Sequence, residues 1–160
     1  MKVFAIGAVL LLIAALAGVG WLYMNATVTV QAVDVTAVEA ASQSGLFREL
    51  SEGIREGRTV GTAYTTEAPG EVENYQFLSY TLRITNHTAI PMEGLEVMIT
   101  PMEGDVAQVG DLTYKTLAAG GEGDLGAVIL TGVDQHSVRE AVVTWYMWGL
   151  PFSQKVTCGR

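Results

Sequence analysis

The spacing of hydrophobic positions changes abruptly along the chain. From Val3 to Met24 (VFAIGAVLLLIAALAGVGWLYM) no residue is charged, and no polar face is available. A helix of roughly 22 residues, at 1.5 Å each, reaches about 33 Å, enough to cross the hydrocarbon core of a bilayer. Thr27 to Val38 (TVTVQAVDVTAV) alternates and is rich in Val and Thr. That predicts a strand, and the slip in alternation near Ala32 predicts a bulge in it. From Ser42 to Gly57 the period lengthens, with Leu46, Phe47, Leu50 and Ile54 spaced by three and four. This predicts a short amphipathic helix over about 44–57, with Ser44 as N-cap, Gly57 as stop, and Arg48, Glu52, Arg55 and Glu56 toward solvent.

Past Arg58 the pattern is strand and turn. Val60–Thr65 is a short strand, and Glu67–Asn74 is a polar connection. In Tyr75–Thr85 the alternation puts Leu78, Tyr80, Leu82 and Ile84 on one face and Ser79, Thr81, Arg83 and Thr85 on the other. After a connection broken by Pro91 and Gly94, Leu95, Val97 and Ile99 face inward up to Pro101. Asp111–Leu117, Gly126–Thr131, Val138–Trp148 and Phe152–Cys158 complete the set. About eight strands at turn spacings near 10 residues are the pattern of an antiparallel β-sandwich.

Composition sharpens the division. The 160 residues carry a net charge of −8 yet have a positive mean hydropathy of +0.31. The contradiction resolves at Asn25: the apolar residues cluster before it, and the remainder has a charge of −9, because Lys2 goes with the first segment. We therefore expect residues 1–24 to be a transmembrane signal anchor and 25–160 one extracytoplasmic domain. Lys2 is the sole basic residue before the apolar run and none follows until Arg48, which places the N-terminus in the cytoplasm. Trp21 and Tyr23 fall at the outer membrane interface, where amphipathic rings prefer to lie. A competing expectation is a cleaved signal peptide, since Ala15-Leu16-Ala17 fits a small-x-small cleavage site near Ala17. An acidic pI near 4.6 argues against nucleic acid as a partner. It also predicts that the domain stands off anionic lipid headgroups.

Tyr80, Leu82, Ile84 and Asn86, followed by Leu95, Val97, Ile99 and Pro101, resemble a recurring feature of bacterial extracytoplasmic immunoglobulin-like domains. There, a strand of the form Tyr-x-Leu-x-Ile-x-Asn leads through a turn into a second strand ending in Pro. The resemblance extends over Tyr75 to Phe152 and implies a cysteine-free immunoglobulin-like sandwich. It implies nothing specific about activity, because the fold hosts many.

Candidate chemistry is sparse. His87 and His136 sit in turns without a ligand-spaced partner, and no nucleophile elbow or phosphate loop is present. Cys158 reads as an inert strand-end thiol. Glu103-Gly-Asp105 with Asp111, and Glu122-Gly-Asp124, are acidic Gly-rich segments that read as solvated turns; neither has a complete calcium-loop spacing. The sequons at Asn25 and Asn86 read as coincidental. We expect no catalytic residue, cofactor or metal.

The run Trp145-Tyr-Met-Trp148, with Leu150 and Phe152, is the most suggestive group. Core packing on one face and cover by the short helix on the other would account for it. Left uncovered, Trp145, Trp148, Leu150 and Phe152 form a candidate partner-binding patch. The expected role is a membrane-anchored binding or assembly module at the cell envelope. It would contact the bilayer through residues 3–24 and bind a protein partner or itself. The alternatives are a structural subunit of an oligomer or filament, and a secreted domain released by cleavage.

Overall fold

A computed structural model describes residues 2–24, 27–58, 61–109 and 115–159. It is mainly β, with one long apolar helix ahead of two antiparallel sheets and a short helix. α1 spans Lys2–Met24, and its side chains from Phe4 to Trp21 are exposed on every side. The side chain of Tyr23 lies outside the described residues.

Among the described residues nine strands follow: β1 (Val28–Glu39), β2 (Gly61–Ala63), β3 (Tyr75–Asn86), β4 (Met92–Ile99), β5 (Asp105–Val109), β6 (Lys115–Leu117), β7 (Glu122–Gly132), β8 (Arg139–Met147) and β9 (Leu150–Cys158). α2 (Ser44–Glu56) lies between β1 and β2. The five-stranded sheet runs β1-β3-β7-β5-β2, and the four-stranded sheet runs β6-β4-β8-β9.

Alternation in β3 and β4 builds the space between the sheets. Leu78, Tyr80, Leu82 and Ile84 face Leu95, Val97 and Ile99, joined by Leu125, Ala127 and Ile129 of β7 and Val143, Trp145 and Met147 of β8. Each aliphatic side chain fully removed from water there contributes about 1.5–3 kcal/mol. β1 carries the expected irregularity. Ala32 pairs with Leu82 and Asp34 with Thr81, so Val33 is the extra residue. The bulge switches the inward parity, from Val30 opposite Ile84 to Val35 opposite Tyr80.

α2 makes a second, smaller core on the outer face of the five-stranded sheet. Phe47, Leu50 and Ile54 pack with Phe77, Val106, Ala107 and Leu130. Its stop is as expected: Gly57 is left-handed (φ 69°), and the Arg58 N–H reaches the Gly53 carbonyl at 2.7 Å. Its start is not. Ser44 is already helical and Gln43 holds the cap position without a side-chain bond, because a short 3₁₀ turn at Ala40–Gln43 leads directly into α2.

The two acidic segments also depart from the expected turns. Asp105 opens β5, a strand absent from the sequence reading, and is buried. Glu122 and Asp124 belong to β7, opposite Thr85 and Arg83. Val60 and Asp111–Tyr114, expected in strands, lie outside the described residues.

Strand pairing defines the two ends of the sandwich. Val28 pairs with Asn86, Thr85 with Glu122, Met92 with Leu117 and Glu93 with Tyr146. The β3–β4, β6–β7 and β8–β9 connections therefore lie at the end where the chain enters from α1. The β4–β5 and β7–β8 connections lie at the far end, with α2 near them.

Candidate functional site: an aromatic hairpin turn and an open sheet face

β8 and β9 form a hairpin whose register is continuous from Arg139 opposite Cys158 to Met147 opposite Leu150. Only Trp148 and Gly149 remain for the turn, and both are left-handed, at φ 53° and 73°. A two-residue loop of this kind matches the right-handed twist of its strands and favours Asn-Gly. Trp148 is the sole non-glycine residue with positive φ among the described residues. Holding a bulky aromatic there costs on the order of 1–3 kcal/mol. Packing does not offset that cost, since Trp148 is 60% exposed.

The predicted patch is divided by the strand's own alternation. Trp145 is buried, and Phe152, its cross-strand neighbour, stacks on it with ring centroids 6.2 Å apart and planes 8° from parallel. Trp148 and Leu150 stay exposed at the turn. The short helix does not cover the outer side of β8, because α2 packs on the other sheet. Among the described residues the outer face of the four-stranded sheet is consequently open. Met98 and Tyr146 are about half exposed on it, with Val142 beside Met98 and Pro151 beside Tyr146.

Several buried polar groups are engaged in holding the fold. Asp105 and Arg139 form a bidentate ion pair (Nε to Oδ2 3.1 Å, Nη2 to Oδ1 2.8 Å), with both side chains fully buried. Arg139 Nη1 also donates to the carbonyls of His136 and Val138. Burial pushes the Asp105 carboxyl up. Hydrogen bonds from Arg139, the Met102 N–H and Thr131, with the guanidinium charge, outweigh it and hold the carboxyl below the usual range. Nearby, burial pushes the Tyr80 phenol up to about 12, and its hydroxyl donates to the Ser137 carbonyl at 2.9 Å. Gln108, buried on β5, donates to the Val97 carbonyl and accepts from the Ile99 N–H. Its amide thus takes the place of a neighbouring strand along the edge of β4. None of these three roles was apparent from residue type or spacing.

At the entry end Asn86 plays the corresponding part. It is fully buried; its amide donates to the carbonyls of Ile90 (2.8 Å) and Ala118 (3.0 Å), and its Oδ1 accepts from the Thr88 N–H. Asn86 therefore ties two connections together, as a strand-ending Asn is suited to do. The sequon there is inside the fold, and Asn25 lies outside the described residues. His87 Nε2 is 3.2 Å from Thr29 Oγ1, on the surface. Cys158 is buried, and burial pushes its thiol pKa up, which disfavours the reactive thiolate. Among the described residues no group of three or more His, Cys, Asp or Glu side chains is placed to hold a metal ion.

No family model and no curated protein matches the chain. Three solved structures resemble it at low similarity. A FixG-related protein from Vibrio parahaemolyticus is 11% identical, with a TM-score of 0.37, covering 84% of this chain and 95% of that one. The GAE domain of yeast GGA1 is 10% identical, with a TM-score of 0.36, covering 55% and 92% respectively. The cupredoxin domain of amoB from Nitrosocaldus yellowstonii is 10% identical, with a TM-score of 0.29, covering 82% and 87%. At these TM-scores none of them assigns this chain a function.

Proposed function

We propose that the chain is a single-pass membrane protein. α1 anchors an immunoglobulin-like β-sandwich on the outer side of the membrane, where it serves as a non-enzymatic binding or assembly module for a protein partner. The join between the two parts carries this reading. α1 is apolar on all sides over Phe4–Trp21, with a mean hydropathy of 2.3, and β1 begins at Val28, four positions after Met24. A soluble helix keeps one polar face, and α1 has none.

The binding surface is the open face of the four-stranded sheet around Met98, Val142 and Tyr146. The five-stranded sheet has α2 against its outer face, and among the described residues this sheet has no equivalent cover. A partner would bury the half-exposed aromatic and thioether side chains, which suit adaptable protein contacts. Carbonate extraction and a photo-crosslinking residue test the reading together. The intact chain should stay with the membrane. A crosslinker at Tyr146 should give a discrete adduct absent from one at Glu52 on α2. Release of the chain by carbonate would sink the anchor. Equal labelling at both positions, or none, would sink the binding face.

A further inference from the structure

We infer that the entry end of the sandwich seats on the outer surface of the bilayer, with the Trp148 ring in the headgroup layer. The inference rests on the reading that α1 spans the membrane, and it adds a second, non-helical contact with lipid. Chain reach is the first argument. Three residues separate Met24 from Val28, and the four steps of chain between them extend at most about 14 Å, so the end that holds Val28 stays close to the interface.

The second argument is where charge is missing. The connections at this end read Asn86-His-Thr-Ala-Ile-Pro91, Ala118-Ala-Gly-Gly121 and Trp148-Gly-Leu-Pro151, without one Asp, Glu, Lys or Arg. Far-end segments carry Glu103, Asp134, Glu67, Glu71 and Glu73, and α2 adds Glu49, Glu52 and Glu56. The acidic balance that argues for standing off the bilayer thus belongs to the rest of the domain. The nearest carboxylates on the five-stranded sheet, Glu122 and Asp124, lie 3.4 and 2.9 Å from Arg83. Glu93 lies opposite Tyr146, one position inside the end of β4.

The third argument is the turn itself. Trp148 occupies a left-handed position that disfavours it, and projects an indole 60% exposed beside the half-exposed Leu150. An indole with one apolar body and one N–H suits the boundary between acyl chains and water. The loops beneath it form a connected platform. Gly120 N–H donates to the Thr88 carbonyl, His87 N–H to the Thr27 carbonyl, and the Thr88 hydroxyl lies 3.8 Å from Met147 Sδ. With no Lys or Arg on the platform, the seat takes zwitterionic lipid and does not depend on anionic headgroups.

The test uses the full chain in phosphatidylcholine vesicles whose acyl chains are brominated near the headgroup. Subtracting the emission of Trp148→Phe isolates Trp148, and subtracting Trp21→Phe isolates Trp21. Trp148→Asn, which supplies the residue the turn prefers, gives an independent subtraction. Both indoles should be quenched, with Trp148 losing about half its emission, as expected for a ring at the interface. Adding phosphatidylglycerol should change nothing. Quenching of Trp21 without Trp148 overturns the seat and leaves the anchor standing. Absence of both effects removes the anchor itself, and the seat with it. A Trp148 shielded from brominated lipid and aqueous iodide alike marks protein at this end, and likewise overturns the seat.

Discussion

Trp148 is more costly to its own turn than the residue it displaces would be. Trp148→Asn should therefore raise the unfolding free energy of the full chain by about 1 kcal/mol, read by urea titration in detergent, since the strain falls and no buried contact is lost. Asp105 presents the opposite case. Asp105→Asn leaves the Arg139 guanidinium buried and uncompensated, at a loss on the order of 3–5 kcal/mol in the same titration. The carboxyl is held below its ordinary value in the folded state, so its contribution is complete at neutral pH. That contribution fades once pH drops below ~4 and continues to fade through the lower folded value. Acid should therefore narrow the gap between wild type and Asp105→Asn, and the midpoints at pH 7 and pH 3 check it. At this scale the sequence reveals less than it conceals. Asp105 sits next to Gly104 in a run that reads as a solvated turn, and its partner is 34 positions away. Asn86 was legible as a strand end, because a short amide after an alternating run has a local job to do.

Among the elements, those with one exposed and one buried face were legible. β3, β4 and α2 follow their periods, the slip near Ala32 marks the bulge in β1, and α1 was legible differently, from an unbroken apolar run. β5 was not, for a physical reason. Both its faces are covered, and the residues pointing between the sheets are Asp105 and Gln108, so the usual polarity is reversed. β7 extends past its apolar stretch because Glu122 and Asp124 are held opposite Thr85 and Arg83, a cross-strand pairing no local pattern encodes. The bulge yields a prediction at this scale. Deleting Val33 would bring Ala32 and Asp34 into uninterrupted register opposite Leu82 and Thr81. The deletion should preserve the fold with a melting temperature within a few degrees. Inserting a residue at Ala37 should be far more damaging, because a one-residue slip turns the rest of the strand over. Thermal unfolding of the two variants makes the comparison.

The whole molecule is asymmetric in two directions. Across the sandwich, α2 packs on one sheet and leaves the other open. Along it, charge collects away from the end where α1 joins. The first asymmetry lay beyond the sequence. Amphipathicity shows that α2 must cover something apolar, and it is silent on which sheet. The run Trp145–Phe152 invited the wrong choice, because its alternating faces called for a cover that Phe77 and Leu130 claim instead. The second asymmetry emerges only after pairing brings Asn86, Gly121 and Trp148 to one end. The edge position of β1 adds a mechanical consequence. Its hydrogen bonds to β3 run across the strands, whereas α1 is joined to β1 end-on. A pull between α1 and the far end of the domain therefore loads the ladder from Val28 to Glu39 in shear, with its bonds strained together rather than unzipped one after another. A tether built this way transmits tension into the domain before it yields.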